Sequence, residues 1–182
     1  MELKWFHLSF VAVIFAGVAL GVEIDCKKPP EDIDPDFCCS TPIFFDDQLV
    51  VQCERSLGWN DSLHYSEFPD DLCISECLMN KTQIIVNGHI DKNILHEKLL
   101  EKIRNGWWRS MLPEFIDTCM QAVGKDEEMA GYNPKSACKA DALFMIDCIY
   151  LKLFGNCPEE IWKDTKKCQN LRDYIIKCTN QD

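Results

Sequence analysis

The stretch DDLCISECLMN, residues 70–80, determines how the rest of the chain is interpreted. It follows Pro69 and begins with two aspartates that suit a helix start, so a helix is predicted over residues 70–83. Cys73 and Cys77 then lie on one face of that helix. Their Cβ atoms do not converge to disulfide distance, so each is expected to bond to a different element outside the helix.

All twelve cysteines of the chain lie after residue 25. Their even number allows every thiol to be paired, and we expect no free cysteine. Cys38 and Cys39 are neighbours, so each is expected to reach a different element. A zinc site is disfavoured because no C-x-x-C spacing is present. The cysteines are Cys26, Cys38, Cys39, Cys53, Cys73, Cys77, Cys119, Cys138, Cys148, Cys157, Cys168 and Cys178.

The N-terminus has the features of a secretory signal peptide. Lys4 is followed by an apolar run from Leu8 to Leu20, and small residues lie near Gly21. We expect residues 1–21 to be removed. The run is too short for a membrane span, and disulfides persist outside the cell, so the mature chain is expected to be secreted without membrane insertion.

The net charge limits the kinds of binding partner, and the chain length limits the number of domains. The net charge of -11 argues against nucleic acid and anionic membrane surfaces, which repel such a chain. The mature residues 22–182 fit a single domain of ordinary size. Its first part, residues 22–41, is acidic and proline-rich, and it is expected to be an irregular arm fixed by cysteines.

Apolar periodicity predicts an all-α protein of about six to eight helices. The helix over 136–154 is apolar on nearly all sides and is predicted to be central and buried. Proline after Cys157 predicts that the last helix starts there, with Ile161 on its inner face. Asn87 and Gly88 predict a turn. The other helices are predicted over residues 44–54, 70–83, 90–104 and 110–123.

No catalytic apparatus is visible in the sequence. The histidines of the mature chain are scattered, without a nucleophile elbow or a metal motif, so a hydrolase is disfavoured and no metal or cofactor is expected. Two N-glycosylation sequons begin at Asn60 and Asn80. Asn60 is preferred, because Asn80 is predicted to lie near Cys73 on the crosslinked side of its helix.

The spacing of six cysteines resembles the framework of insect odorant-binding proteins, and the match spans nearly the whole mature chain. These six are Cys53, Cys73, Cys77, Cys119, Cys148 and Cys157. The additional cysteines resemble those of the twelve-cysteine Plus-C subfamily. They include the Cys38-Cys39 pair, Cys138, and Cys168 and Cys178 beyond Pro158.

The resemblance implies three of the disulfides and a division of the domain. The implied pairs are Cys53 with Cys77, Cys73 with Cys148 and Cys119 with Cys157; the other six cysteines remain unassigned. It also implies a six-cysteine core over 42–158 and a C-terminal helical extension over 159–182.

The function implied by the resemblance is non-catalytic transport. The implied fold is a disulfide-stapled bundle of helices around a hydrophobic cavity, which carries odorant or pheromone-like molecules through sensillum lymph or another body fluid in olfaction. The expected partner is a small hydrophobic ligand, and further candidates are a sensory receptor, another odorant-binding protein or a second copy of the chain. The alternative is a secreted interaction or effector protein with the same fold.

Inward-facing apolar residues are the candidates for the ligand pocket, with core packing as the alternative role of each. The candidates are Leu95, Leu99, Trp107, Met111, Phe115, Phe144, Ile146 and Tyr150. A hollow interior explains the many crosslinks. An unfilled pocket of about 300 Å³ costs about 7 kcal/mol, comparable with the net stability of a domain, about 5–15 kcal/mol. Each bridge offsets about 2–4 kcal/mol of that cost.

Overall fold

The computed structural model describes residues 24–28, 30, 33–58, 71–123 and 138–179. The predicted signal peptide, residues 1–21, lies outside this range. Within it the chain forms seven helices and one short hairpin, which confirms the predicted all-α class. The elements are α1 (Pro35–Cys38), α2 (Asp47–Ser56), α3 (Asp71–Lys81), β1 (Ile85–Val86), β2 (His89–Ile90), α4 (Lys92–Lys102), α5 (Gly106–Val123), α6 (Asp141–Gly155) and α7 (Lys166–Thr179).

Helix α6 lies at the centre, as its apolar sequence predicts, and it packs against α3, α5 and α7. Met145 and Leu153 of α6 are fully buried. Fully buried apolar side chains of the surrounding helices complete one continuous core, and this burial supplies the main driving force for folding. Among them are Met79, Leu95, Ile103, Leu112 and Ile116.

Side-chain caps fix the beginnings of the shorter helices. The carboxylate of Asp46 accepts a hydrogen bond from the Leu49 N–H at 2.9 Å, so α2 begins at Asp47, three residues later than the predicted start at residue 44. The carboxylate of Asp91 accepts the N–H groups of Asn93 and Ile94 at the start of α4.

The hairpin between α3 and α4 was not expected from the sequence, although its turn was. Asn87 and Gly88 both have positive φ, 52° and 80°, which matches the predicted Asn-Gly turn. Ile85 pairs with Ile90 across it. Because Ile90 belongs to a strand, α4 starts at Lys92 and not at the predicted residue 90.

Helix α5 begins one turn earlier than predicted. Pro113 was taken to mark a start near Ser110, but the helix starts at Gly106 and continues through Pro113. The side chain of Asn105 accepts the Trp107 N–H at 2.8 Å, which caps this earlier start. Proline removes only one backbone donor, and the buried apolar face of α5 outweighs that loss.

The predicted start of the last helix at Cys157 is wrong. Residues 157–165 run as turns and irregular chain, and α7 starts at Lys166. The carbonyl of Pro158 accepts the N–H groups of Ile161 and Trp162, which closes a turn that does not propagate. Ile161, predicted to face inward, is 37% exposed.

All twelve cysteines are paired in six disulfides, and Cys53–Cys77 is confirmed. Cys73 bonds to Cys138 and not to Cys148, because Cys138 lies just before α6, beside α3. Cys148 lies about 10 Å along α6 from the first residue of that helix, Asp141, and there it bonds to Cys119 of α5. As expected, Cys73 and Cys77 bond to different elements.

The implied Cys119–Cys157 pair is also wrong, because the N-terminal arm supplies the partner of Cys157. Cys39 bonds to Cys157, and its neighbour Cys38 bonds to Cys168 of α7. Two adjacent cysteines therefore reach two different elements, as predicted. Cys26 bonds to Cys178, so three bridges join the arm to the C-terminal part of the chain.

Candidate ligand-binding cleft

A cavity of about 290 Å³ lies between the N-terminal arm and helices α6 and α7. We call it the arm cleft. Its volume is near the lower end of the range for small-molecule sites, about 300–1,000 Å³. Its lining residues are Asp34, Pro35, Asp36 and Thr41 of the arm, Pro42 and Ile43 directly after the arm, Tyr150, Leu151 and Phe154 of α6, and Ile175 of α7.

The arm is fixed over this cleft by covalent and polar contacts. Beside the two bridges of Cys38 and Cys39, the Lys163 N–H donates to the Cys38 carbonyl at 3.0 Å. The Lys163 ammonium lies 4.1 Å from the centre of the Phe37 ring, a cation–π contact. The Tyr174 hydroxyl donates to the Cys26 carbonyl at 2.8 Å. The wall that the arm contributes is therefore held in place along its length.

Tyr150 joins α6 to the chain that follows the arm. Its hydroxyl accepts a hydrogen bond from the Phe44 N–H at 3.3 Å, and the two rings stack with centroids 4.5 Å apart. Burial raises the pKa of Tyr150, and the charge of Asp36 raises it further, while the bond from Phe44 lowers it. The hydroxyl is therefore neutral at neutral pH and keeps a proton that it can donate.

The walls of the arm cleft are apolar and its edge is polar. Phe154 and Ile175 are buried, whereas Ile43 is 71% exposed at the mouth. On the polar edge, the Asp36 carboxylate accepts the Thr41 hydroxyl at 3.2 Å. The cleft thus suits a small molecule with an apolar body and a polar end.

A second cavity, of about 430 Å³, lies at the start of α5 beside residues 156–160. Its indole wall is Trp107, which is 55% exposed although its Nε1 donates to the Asn156 carbonyl at 3.2 Å. Its lining carries three charged side chains, Glu159, Glu160 and Arg172, against two in the arm cleft, and Asn156 adds an amide, so this cavity is the more polar. Its other lining residues are Cys157 and Pro158.

Trp162 lies between the two cavities and contacts one lining residue of each. Phe154, from the arm cleft, meets the Trp162 ring edge-on with centroids 5.7 Å apart. The guanidinium of Arg172, from the second cavity, lies 4.9 Å from the Trp162 centroid. The buried Nε1 of Trp162 has no hydrogen-bond partner among the residues that the structure describes.

The candidate ligand residues from the sequence do not surround one cavity. Tyr150 lines the arm cleft and Trp107 lines the second cavity. Met111 and Ile146 are partly buried against the core, and Phe144 is partly buried on α6. The remaining three are buried in the core: Leu95, Leu99 and Phe115.

The sequence did not reveal the arm as a wall of a cleft. The arm residues that line it lie far along the chain from α6, and proline with aspartate predicts only an irregular segment. One usable signal was the apolar run Pro42-Ile43-Phe44-Phe45, which begins three residues after two adjacent cysteines that must reach different elements. That run indicates chain packed against another part of the molecule.

Of the two glycosylation sequons, the structure describes the asparagine of the second, Asn80. Asn60 lies outside the described residues. Asn80 lies on α3, seven residues after Cys73, and it is exposed at the end of that helix. The helix ends at Lys81, one residue after Asn80, and the exposed Asn80 side chain is accessible at this end.

Neither a metal-holding group of side chains nor a membrane-spanning helix is found in the described ranges. Within them, no group of three His, Cys, Asp or Glu side chains is placed to hold a metal ion. No helix in the same ranges is both long and apolar enough to cross a bilayer. Six disulfides fit an oxidising compartment.

The bundle of helices with its six disulfides fits the disulfide-stapled all-α fold of odorant-binding proteins. The AgamOBP47-like family model matches residues 42–174, and the chain belongs to this family of Plus-C insect odorant-binding proteins. General odorant-binding protein 67 of Anopheles gambiae is 26% identical over 180 residues, covering 91% of this chain and 87% of the relative.

Two further relatives come from the same mosquito. Odorant-binding protein 47 is 27% identical over 189 residues, which cover 97% of this chain and 83% of that protein. General odorant-binding protein 68 is 23% identical over 166 residues, or 85% of this chain and 76% of its own length. These alignments extend over most of each chain and support a ligand-binding carrier role.

Proposed function

We propose that this protein is a secreted, non-catalytic carrier of small hydrophobic molecules, odorant or pheromone-like, and that the ligand binds in the arm cleft. The observation that carries the proposal is an apolar cavity of about 290 Å³ whose walls are crosslinked to each other. Burial of apolar surface contributes about 25 cal/mol per Å², so a small apolar guest gains affinity in such a site.

The proposal includes the chain's processing and location. A signal peptide over residues 1–21 is removed, and residues 22–182 act as one domain in sensillum lymph or another body fluid. Asn60 is the proposed glycosylation site. A sensory receptor, another odorant-binding protein or a second copy of the chain is a further partner, and size-exclusion chromatography with light scattering tests the last of these.

Binding is tested with a fluorescent apolar dye titrated into delipidated protein secreted with its disulfides formed. Saturable fluorescence that volatile apolar compounds displace supports the carrier. If the dye does not bind and a partner protein co-purifies at fixed stoichiometry, the effector alternative is correct and the carrier proposal fails.

The location of the ligand is tested by filling the cleft. Leu151 lines the arm cleft and is 37% exposed, so Leu151→Trp is tolerated at the surface and occupies the cavity. Dye affinity is expected to fall at least about tenfold, which corresponds to about 1.4 kcal/mol. Ile161→Trp is the matched control, because Ile161 is also 37% exposed and lines neither cavity described above.

The set of pocket residues proposed from the sequence gives a competing location. Met111 belongs to that set and is partly buried against the core, away from the residues that line the arm cleft. Met111→Ala is expected to leave dye affinity unchanged. If Met111→Ala weakens binding and Leu151→Trp does not, the ligand occupies the interior between α4, α5 and α6 and the arm cleft is not the site.

A further inference from the structure

We propose that the arm cleft selects apolar alcohols, with the ligand hydroxyl placed between the carboxylate of Asp36 and the hydroxyl of Tyr150. This inference rests on the proposed function and adds the chemical class of the ligand. It also names two residues that determine specificity. The argument depends on which hydrogen-bonding capacity each side chain retains after its contacts within the protein.

Asp36 retains capacity to accept hydrogen bonds at the mouth of the cleft. One of its oxygens, Oδ1, accepts the Thr41 hydroxyl at 3.2 Å. A carboxylate has about four lone-pair positions, so this single bond leaves acceptor positions for a ligand. Asp36 is exposed in the four-residue helix α1, and both bridges of Cys38 and Cys39 hold that segment beside α6 and α7.

Tyr150 retains the complementary capacity to donate. The Phe44 N–H donates to its oxygen, and this bond does not use the phenolic hydrogen. Tyr150 lines the same cavity as Asp36. After burial, the charge of Asp36 is a further cause of the raised pKa of Tyr150, which places the two groups within electrostatic reach.

An alcohol matches this pair because its hydroxyl both donates and accepts. It donates to Asp36 and accepts from Tyr150, while its apolar body lies against Phe154 and Ile175. An aldehyde or ester only accepts, so it leaves Asp36 without a donor. An ammonium only donates, and a carboxylate is repelled by Asp36 in a chain of net charge -11.

The test uses four ligands that share one chain length, 1-nonanol, nonanal, nonylamine and nonanoate, in competition with the bound dye at pH 7. Nonanol is expected to displace the dye at a concentration at least about fivefold lower than nonanal, with nonanoate weakest, because a hydrogen bond to a charged group is stronger than one between neutral groups. If nonanal, nonylamine or nonanoate ranks first, the alcohol preference is wrong while the carrier stands.

A variant assigns the preference to Asp36. Asp36→Asn keeps an oxygen for Thr41 and removes the charge, so the ratio of nonanoate to nonanol displacement concentrations is expected to fall at least about fivefold. Asp173→Asn is the control, since Asp173 is an exposed residue of α7 that does not line the cleft. An unchanged ratio in Asp36→Asn overturns the assignment, and absence of any dye binding in the unmodified protein instead removes the proposed function.

Discussion

The backbone N–H of Phe44 donates to the hydroxyl of Tyr150 across 106 residues of sequence, and their rings stack on each other. This pair is the point where the chain leaving the arm meets the central helix. It sets the distance between the two walls of the arm cleft, since Ile43 precedes Phe44 and Leu151 follows Tyr150.

Removing the Tyr150 hydroxyl is expected to loosen that contact without disturbing the core. Tyr150→Phe retains the stacked ring but leaves the Phe44 N–H without its acceptor, so the free energy of unfolding is expected to fall by about 1 kcal/mol. Urea denaturation at pH 7 measures it. Tyr174→Phe serves as the comparison and is expected to lose less stability. The Cys26–Cys178 bridge still fixes the chain where Tyr174 donates its hydrogen bond to Cys26. Equal stability of Tyr150→Phe and the unmodified protein contradicts this prediction.

The bridges of the arm are expected to matter more for binding than those of the core. Replacing Cys38 and Cys168 by serine frees one attachment of the arm, whereas replacing Cys53 and Cys77 frees a link between α2 and α3. Each loss is expected to lower stability by about 2–4 kcal/mol. Only the first is expected to weaken dye binding, measured at a temperature where both variants remain folded by circular dichroism.

The opposite pattern, with binding lost only when Cys53 and Cys77 are replaced, places the ligand away from the arm. Equal binding by both variants contradicts a role of the arm as a cleft wall. Because both variants lack one disulfide, the comparison controls for the general effect of removing a crosslink.

The carboxyl group of Asp147 is expected to make stability depend on pH. Asp147 is exposed on α6, but partial desolvation of its carboxyl group raises its pKa, and the charge of Asp71 raises it further. A pKa raised in the folded state means that the folded protein holds this proton more tightly than the unfolded chain does. The stabilisation from protonating Asp147 is therefore complete below the ordinary aspartate pKa, and it is lost as pH rises through the raised pKa of the folded state.

Asp147→Asn is consequently expected to be more stable than the unmodified protein at pH 7 and no more stable at pH 3. Thermal unfolding at the two pH values measures the difference. Asp71→Asn is expected to recover part of the same gain at pH 7, since it removes the second cause. A lower melting temperature of Asp147→Asn at pH 7 is incompatible with this account.

Glycosylation is expected at Asn60 when the protein is secreted from eukaryotic cells. The expected result is a mass shift, removable by a glycan-cleaving amidase, that Asn60→Gln abolishes. Asn80 is exposed, so Asn80→Gln tests whether the second sequon is also used. A shift that survives in Asn60→Gln but is lost in Asn80→Gln assigns the modification to the end of α3.

Local patterns in the sequence predict most of the helices, because each helix buries one apolar face. Leu95 and Leu99 of α4, predicted to face inward, are both buried, and α6 is central. The predicted start of the last helix at Cys157 is wrong for a local reason. Pro158 resembles a helix start, but the Cys39–Cys157 bridge precedes it and its carbonyl closes an isolated turn.

Disulfide pairing and the cleft depend on contacts between distant parts of the chain, and local patterns do not contain them. Spacing alone predicted that Cys73 and Cys77 bond to separate elements. It did not show that Cys138 lies nearer to α3 than Cys148 does and therefore bonds to Cys73. The cleft likewise exists only where the arm meets α6 and α7. Tyr150 is the one candidate ligand residue from the sequence that lines it.

The bond between Cys26 and Cys178 spans 152 residues and converts nearly the whole described chain into a covalent macrocycle. The arm cannot move aside like a hinged lid while this bond and the bonds of Cys38 and Cys39 stay oxidised. A molecule beneath the arm must arrive and depart through side-chain rearrangement at the mouth, and dissociation rates should consequently respond to thiol reductants.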